Sequence, residues 1–236
     1  MTSASRPRNP ARPASRGSRP TARTDPARVR ALLRALKRHD PDPRCALDYV
    51  SPYELICSVI LSAQCTDKRV NMVTPALFAR YPTVQALAQA RQADVEELVR
   101  TTGFFRNKAK NLIGMARAVV ERFDGRVPQG MDELLSLPGV ARKTANVVRG
   151  EIWGLADGVV VDTHVTRLAF RLGLTRHTDP VKIERDLMAL LPPAEWIDFS
   201  HRLIRLGRTI CTARKPNCAE CPLARWCPKR GVQGAR

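Results

Sequence analysis

From residue 27 onward, apolar residues recur with the period of a helix. Val29, Leu32, Leu33 and Leu36 lie three or four apart in ARVRALLRALKRHD, leaving one apolar and one basic face. The next segment, SPYELICSVILSAQ, opens on Ser51, Pro52 and Glu54, which form a capping box with proline at the first helical position. Its interior (Leu55, Ile56, Val59, Ile60, Leu61) is apolar on nearly every side, which predicts a central, buried helix. Further helices are predicted around 68–80, 84–90, 94–100, 107–122, 131–136, 142–153, 163–172, 181–191 and 194–210. Only Val159–Val161 reads as a strand, and no repeat is visible. The pattern predicts an all-α chain.

Residues 1–26 break the pattern. They are built mainly from Arg, Pro, Ser, Ala and Thr, with no large apolar side chain beyond Met1. Such a segment cannot bury enough surface to offset the entropy of ordering, so a disordered arm is predicted. Its arginines suit it to hold phosphates without reading sequence, although transit peptides share this composition.

Charge narrows the partner. The 236 residues include 40 Lys and Arg against 22 Asp and Glu, a formal charge of +18. A polyanion is the expected partner, with nucleic acid ahead of an acidic membrane surface. No apolar run reaches the length of a membrane span, and no signal-peptide core follows Met1. A cytoplasmic, nucleoid-associated protein is expected if the source is bacterial, with an organelle or the nucleus as the alternative that the basic arm allows.

Three motifs carry chemistry. In MDELLSLPGVARKTANVVRGEIW, a Pro-Gly turn joins two helices and aims the first N–H groups of the second helix outward, where they and the helix dipole favour an anion. Followed by Arg142 and Lys143, that turn reads either as a docking point for a DNA phosphate or as an ordinary helical hairpin with solvated basic residues. Lys143 itself is open to three readings: a solvated charge, a phosphate contact or a nucleophile. The positive helix end and the adjacent Arg142 disfavour further positive charge there, and a neutral amine can attack an electrophilic sugar carbon. In GVVVDTHVTRLAFRLG, Asp162 is placed to cap a helix, and its carboxylate is also suited to steer lysine chemistry. His164 either touches DNA or packs locally.

The third motif is CTARKPNCAECPLARWC, in which Cys211, Cys218, Cys221 and Cys227 follow the spacing C-x6-C-x2-C-x5-C. Structural zinc usually takes two close pairs held apart, and only one close pair exists here. A four-cysteine iron–sulfur cube suits one compact loop better. Arg214 and Lys215 lie between the first two cysteines, so a bound cluster would present basic residues to phosphate.

Together LPGVARKTANVV, VDTHV and the cysteine spacing closely resemble the endonuclease III family of DNA glycosylases, within the helix-hairpin-helix superfamily. The resemblance runs from about Asp25 to Lys229. It implies two α-helical lobes with a DNA-binding cleft between them, one lobe spanning 46–156 and the other joining 27–45 to 157–236 around a [4Fe-4S] cluster. It also implies a bifunctional glycosylase and abasic-site lyase, a monomer acting on double-stranded DNA with damaged bases or abasic sites. Oxidised pyrimidines such as thymine glycol are the typical lesions. Lys143 matches the family's nucleophile and Asp162 its carboxylate partner. Gln64 matches a residue that enters the gap left by the flipped nucleotide, with Asp67 close by, and Phe104 stands where the family usually has a leucine wedge.

The family's hairpin normally reads LPGVGRKT, with glycine following Gly139 and Val140 where this chain has Ala141. Glycine there permits close approach to a phosphate or cation and a positive φ, so the contact made by Gly139 and Ala141 is in question. Two alternatives stand beside this reading. A monofunctional adenine-mismatch glycosylase generally lacks the lysine and carries a further C-terminal domain, whereas this chain ends within ten residues of Cys227. A non-catalytic DNA clamp would not need both Lys143 and Asp162.

Overall fold

In the computed structural model, which describes residues 25–232, the chain forms eleven α-helices and no strand among those residues. The basic arm thus lies outside the described residues apart from its last two. Asp25 accepts hydrogen bonds from the N–H groups of Ala27 and Arg28, and Pro26 is the first residue of α1 (Pro26–His39). The predicted arm therefore runs two residues too far, into a cap and a first turn.

The first group of helices comprises α2 (Pro52–Leu61), α3 (Asp67–Arg80), α4 (Val84–Ala88), α5 (Gln92–Val99), α6 (Phe105–Arg122), α7 (Met131–Leu135) and α8 (Arg142–Trp153). The helix α2 is central, as its composition predicts: Tyr53 and every residue from Leu55 to Leu61 are buried. A buried Leu or Ile contributes about 1.5–3 kcal/mol, so this one helix anchors the lobe. Its capping box closes differently from the sequence reading. Ser51 accepts from the Glu54 N–H, but the Glu54 carboxylate accepts from Val50, one residue before the cap. Thr66 and Thr83 cap α3 and α4 in the ordinary way.

The second group comprises α1, α9 (Thr163–Arg171), α10 (Pro180–Leu190) and α11 (Trp196–Thr209). The helix predicted to begin at Ala194 starts two residues later, because Pro193–Glu195 form a separate 3-10 turn after the Pro192-Pro193 pair. Val159–Val161 form no strand. With no partner strand to pair with, this β-branched run buries Val159 in the second core and packs Val161 against it. A buried arginine braces this half: Arg202 donates to the Asp40 carbonyl and to Glu195 and Asp198, tying the end of α1 to α11.

Each group has its own hydrophobic core. One runs from Leu47 to Val148, and the other joins Val29–Leu36 to Val159–Leu223. The two helical lobes meet where α8 lies against α11. A Cβ on Gly150 would come within 3.3 Å of Ile197, so glycine sets that spacing. Beside this contact, Glu151 of α8 pairs with His201 of α11 at 2.5 Å and accepts from the Tyr49 hydroxyl at 3.0 Å. Burial alone would push the Glu151 carboxyl up, but the bonds from His201 and Tyr49 and the His201 charge outweigh it and leave it lowered.

Candidate active site

The Pro-Gly turn between α7 and α8 requires glycine twice over at 139. Its φ is +78°, and a Cβ there would lie 2.8 Å from the Asn111 side chain. Ala141 needs no such freedom: it is the extended N-cap of α8, at φ −94° and ψ 169°. The substitution thus stores no backbone strain. Nor does Ala141 offer a side-chain cap, so the first N–H groups of α8 stay available to an outside acceptor. Arg142, expected to reach a phosphate, pairs in this structure with Glu184 at 3.4 Å and donates to the Asp157 carbonyl, with about half of its side chain still exposed. Lys143 beside it at the open helix end is exposed and forms no such pair among the described residues.

Asp162 caps α9, its Oδ1 accepting from the Val165 N–H at 2.7 Å. The carboxylate also lines two adjoining cavities that Lys143 lines as well. Asp67 and Arg208 line both as well; the deeper one, about 250 Å³, adds Asn146, Glu151 and His201, and the outer one adds Gln64, Lys68 and His164. Lys143 comes from the first lobe and Asp162 from the second, so the shared space is the cleft between them.

Of the residues singled out from sequence, Gln64, Asp67, Lys143, Asp162 and His164 therefore share one space. His164 does both things open to it: it lines the cavity and sits over Gly207, with Arg167 Nη2 3.2 Å from its Nδ1. Burial pushes its pKa down, favouring the neutral ring. Asp67 is ion-paired with Arg208 of α11 at 2.5 Å, which bolts the two lobes together at the cavity wall. Phe104 stands apart from the cavity lining. It is 68% exposed, whereas its neighbour Phe105 packs against the first core between Arg100 and Arg106. Gln64 and Phe104 are both left-handed, at φ 53° and 48°, an uncommon conformation for residues with side chains and one that clusters at functional sites.

Asn146, Arg208, Glu151 and His201 were not foreseen. Only Asn146 left a signal, since it lies one turn after Lys143 and so on the same face.

The four terminal cysteines line one further cavity, together with Leu168, Leu172, Leu206 and Leu223. Four cysteines of one compact loop around an apolar hollow are a donor set that suits an iron–sulfur cluster. The charge also fits an anionic cluster. Buried Arg171 donates from Nη1 to the Cys211 sulfur (3.3 Å) and the Thr212 carbonyl (2.7 Å), and from Nη2 to the Ala213 carbonyl (2.8 Å). Arg214 and Lys215 stand exposed on the loop so held. Accordingly the purified protein is expected to be yellow-brown with about four irons per chain. Cys221→Ser should bleach it and make the 211–227 loop sensitive to proteases; a colourless protein with one zinc would overturn the assignment.

Comparison with known proteins agrees with this geometry. Residues 57–193 match the HhH-GPD superfamily of base excision DNA repair proteins, and residues 211–227 match the iron–sulfur binding domain of endonuclease III. Endonuclease III of Synechocystis is 58% identical over 201 residues, covering 85% of this chain and 92% of the relative. The Bacillus subtilis protein is 43% identical, covering 79% and 85%. Among solved structures, a non-covalent endonuclease III–DNA complex superposes with a TM-score of 0.82 at 40% identity, covering 86% of this chain and 95% of that one. A trapped endonuclease III–DNA covalent intermediate superposes at 0.81, also 40% identical, covering 86% and 96%. The chain belongs to the endonuclease III family, and with it to the base excision repair enzymes that carry a [4Fe-4S] cluster.

Proposed function

We propose that this chain removes oxidised pyrimidines of the thymine glycol type from double-stranded DNA, with Lys143 as nucleophile and Asp162 as its carboxylate partner. DNA glycosylase and abasic-site lyase activity comes with the family; the lesion class and the residue roles are our reading. The observation that carries it is that Lys143, at an uncapped helix start, and Asp162, at a cap of the opposite lobe, line the same cleft.

The chemistry follows from those positions. A flipped nucleotide in the cleft brings its C1′ to the Lys143 amine. The Nζ lone pair forms the new bond as the glycosidic bond breaks, and the base leaves with its electron pair and takes up a proton. Positive charge that builds on the sugar is offset by the Asp162 carboxylate. Once the amine has lost its protons and the sugar ring has opened, a Schiff base joins Nζ to C1′. Loss of a C2′ proton then expels the 3′ phosphate, so base release and strand nicking share one intermediate. Cys211, Cys218, Cys221 and Cys227 would hold the [4Fe-4S] cluster, which would make rigid the loop that presents Arg214 and Lys215.

Gln64 and Phe104 serve as the residues that fill the vacated stack and press on the unpaired base. Their strained backbones and outward exposure support that role. Both halves of the site come from one chain, which supports a monomer as the acting unit, with lobes divided at 46–156 and 27–45 plus 157–236. Borohydride trapping on thymine glycol and abasic-site duplexes tests the reading. A covalent complex on both supports it, and base release without any trapping overturns the lysine mechanism.

The arm supplies non-specific affinity. Residues 1–24 carry six arginines and no acidic residue. A truncation must stop at residue 24, because Asp25 caps α1. Removing 1–24 is expected to lower the slope of log affinity against log salt by roughly 0.9 for each DNA phosphate that the arm neutralises, with lesion chemistry retained. An unchanged slope would show that the arm does not touch DNA.

A further inference from the structure

The geometry points to Lys108 as a positioning residue that holds both DNA-wedging loops in register through one ammonium group. This rests on the roles given above to Gln64 and Phe104.

Lys108 lies in the first turns of α6, yet it is only 4% exposed. A buried lysine normally answers a carboxylate. This one answers two backbone carbonyls: Nζ donates to Leu61 at 2.8 Å and to Thr102 at 2.7 Å. Burial pushes its pKa down, a cost that an apolar side chain would not incur. What the lysine adds over an apolar side chain is therefore the reach of its ammonium to two carbonyls, not packing.

Both carbonyls stand at the root of a wedge loop. Leu61 ends α2, and three residues later comes Gln64 at φ 53°. Thr102 ends the 3-10 turn Arg100–Thr102, and two residues later comes Phe104 at φ 48°, after Gly103 at φ 72°. The two segments are about forty residues apart in sequence. Two oxygens bonded to one nitrogen cannot separate by more than the two bond lengths end to end. The lysine thus fixes the spacing of the loop roots, and with it the spacing of two side chains that must enter one DNA stack together. The C-terminal end of α2 also favours a cation at that point. Each loop alone is strained, and a strained conformation persists only where its surroundings hold it.

The test uses Lys108→Met, which keeps the apolar stem and removes the donors. Its readout is 2-aminopurine placed opposite a tetrahydrofuran abasic analogue, where pressing the unpaired base out of its stack raises fluorescence. Wild type is expected to give the rise; Lys108→Met should lose it. Excision of thymine glycol under saturating enzyme should fall about tenfold to a hundredfold. Borohydride trapping on a preformed abasic site should fall far less, since no base has to be extracted. Gln64→Ala and Phe104→Ala are measured alongside. If both leave the fluorescence rise intact, the wedge reading itself fails, whatever Lys108 does. If they abolish it and Lys108→Met does not, the positioning inference fails. It fails too if Lys108→Met loses trapping as fully as excision, because the residue would then serve the chemistry and not the wedges. Should Lys108→Met not fold, Lys108→Leu, which likewise removes the donors and keeps an apolar side chain, carries the same comparison.

Discussion

Lys143→Gln is expected to abolish borohydride trapping on every substrate and to slow base release by about 10⁴-fold or more, the scale on which removal of a covalent nucleophile acts. The fold should not change, because Lys143 is exposed and stands at a helix end that uses no side-chain cap. Equal thermal melting of the two proteins, beside the missing covalent band, would separate chemistry from stability. A second lysine makes the test sharp. Lys68 also lines the outer cavity, but it is absent from the deeper one that Lys143 and Asp162 share. Lys68→Gln should therefore keep trapping. If Lys143→Gln still forms the adduct and Lys68→Gln does not, the nucleophile is Lys68, from α3 of the same lobe. If both retain it, an amine outside the cleft is reacting.

The parts of this site that sequence displays are the ones built from local rules. The hairpin helix Arg142–Trp153 has the bounds expected from its apolar spacing, and Asp162 caps a helix as its place before Thr163 predicts. The cysteines crowd one loop and share one cavity. Boundaries slipped where prolines or caps competed with periodicity, as at Pro26 and at Pro193–Glu195. What sequence hides is pairing at a distance. Asp67 reads only as a neighbour of Gln64 near the lesion pocket, and nothing marks Arg208, 141 positions away, as its partner. Glu151 and His201 meet across the lobes, fifty residues apart. Arg142 reads as a phosphate contact, and nothing marks Glu184, 42 positions away, as a partner for it as well. Lys108 is the extreme case: within FRNKAKN it looks like surface charge, yet it is buried. Its partners are main-chain carbonyls, which every residue carries and no sequence pattern reveals.

Asp162 permits the second large effect to be divided into structure and catalysis. Its Oδ1 is committed to the Val165 N–H, and asparagine caps a helix about as well as aspartate. Asp162→Asn should therefore melt within about 1 °C of wild type, a shift well below that expected from losing a cap. Asp162→Ala removes the cap as well, costing about 1 kcal/mol, or roughly 2–4 °C in a chain of this size. Catalysis should not follow that order. Both variants lose the negative charge that faces the sugar, so both should excise thymine glycol about 10²- to 10³-fold more slowly under single-turnover conditions. Neither should lose trapping on a preformed abasic site altogether, since Lys143 remains and the open sugar is already electrophilic. An Asp162→Asn enzyme with wild-type excision would reduce Asp162 to a helix cap and leave the sugar's charge to be met by some other group in the cleft, with Asp67, already tied to Arg208, the nearest in kind.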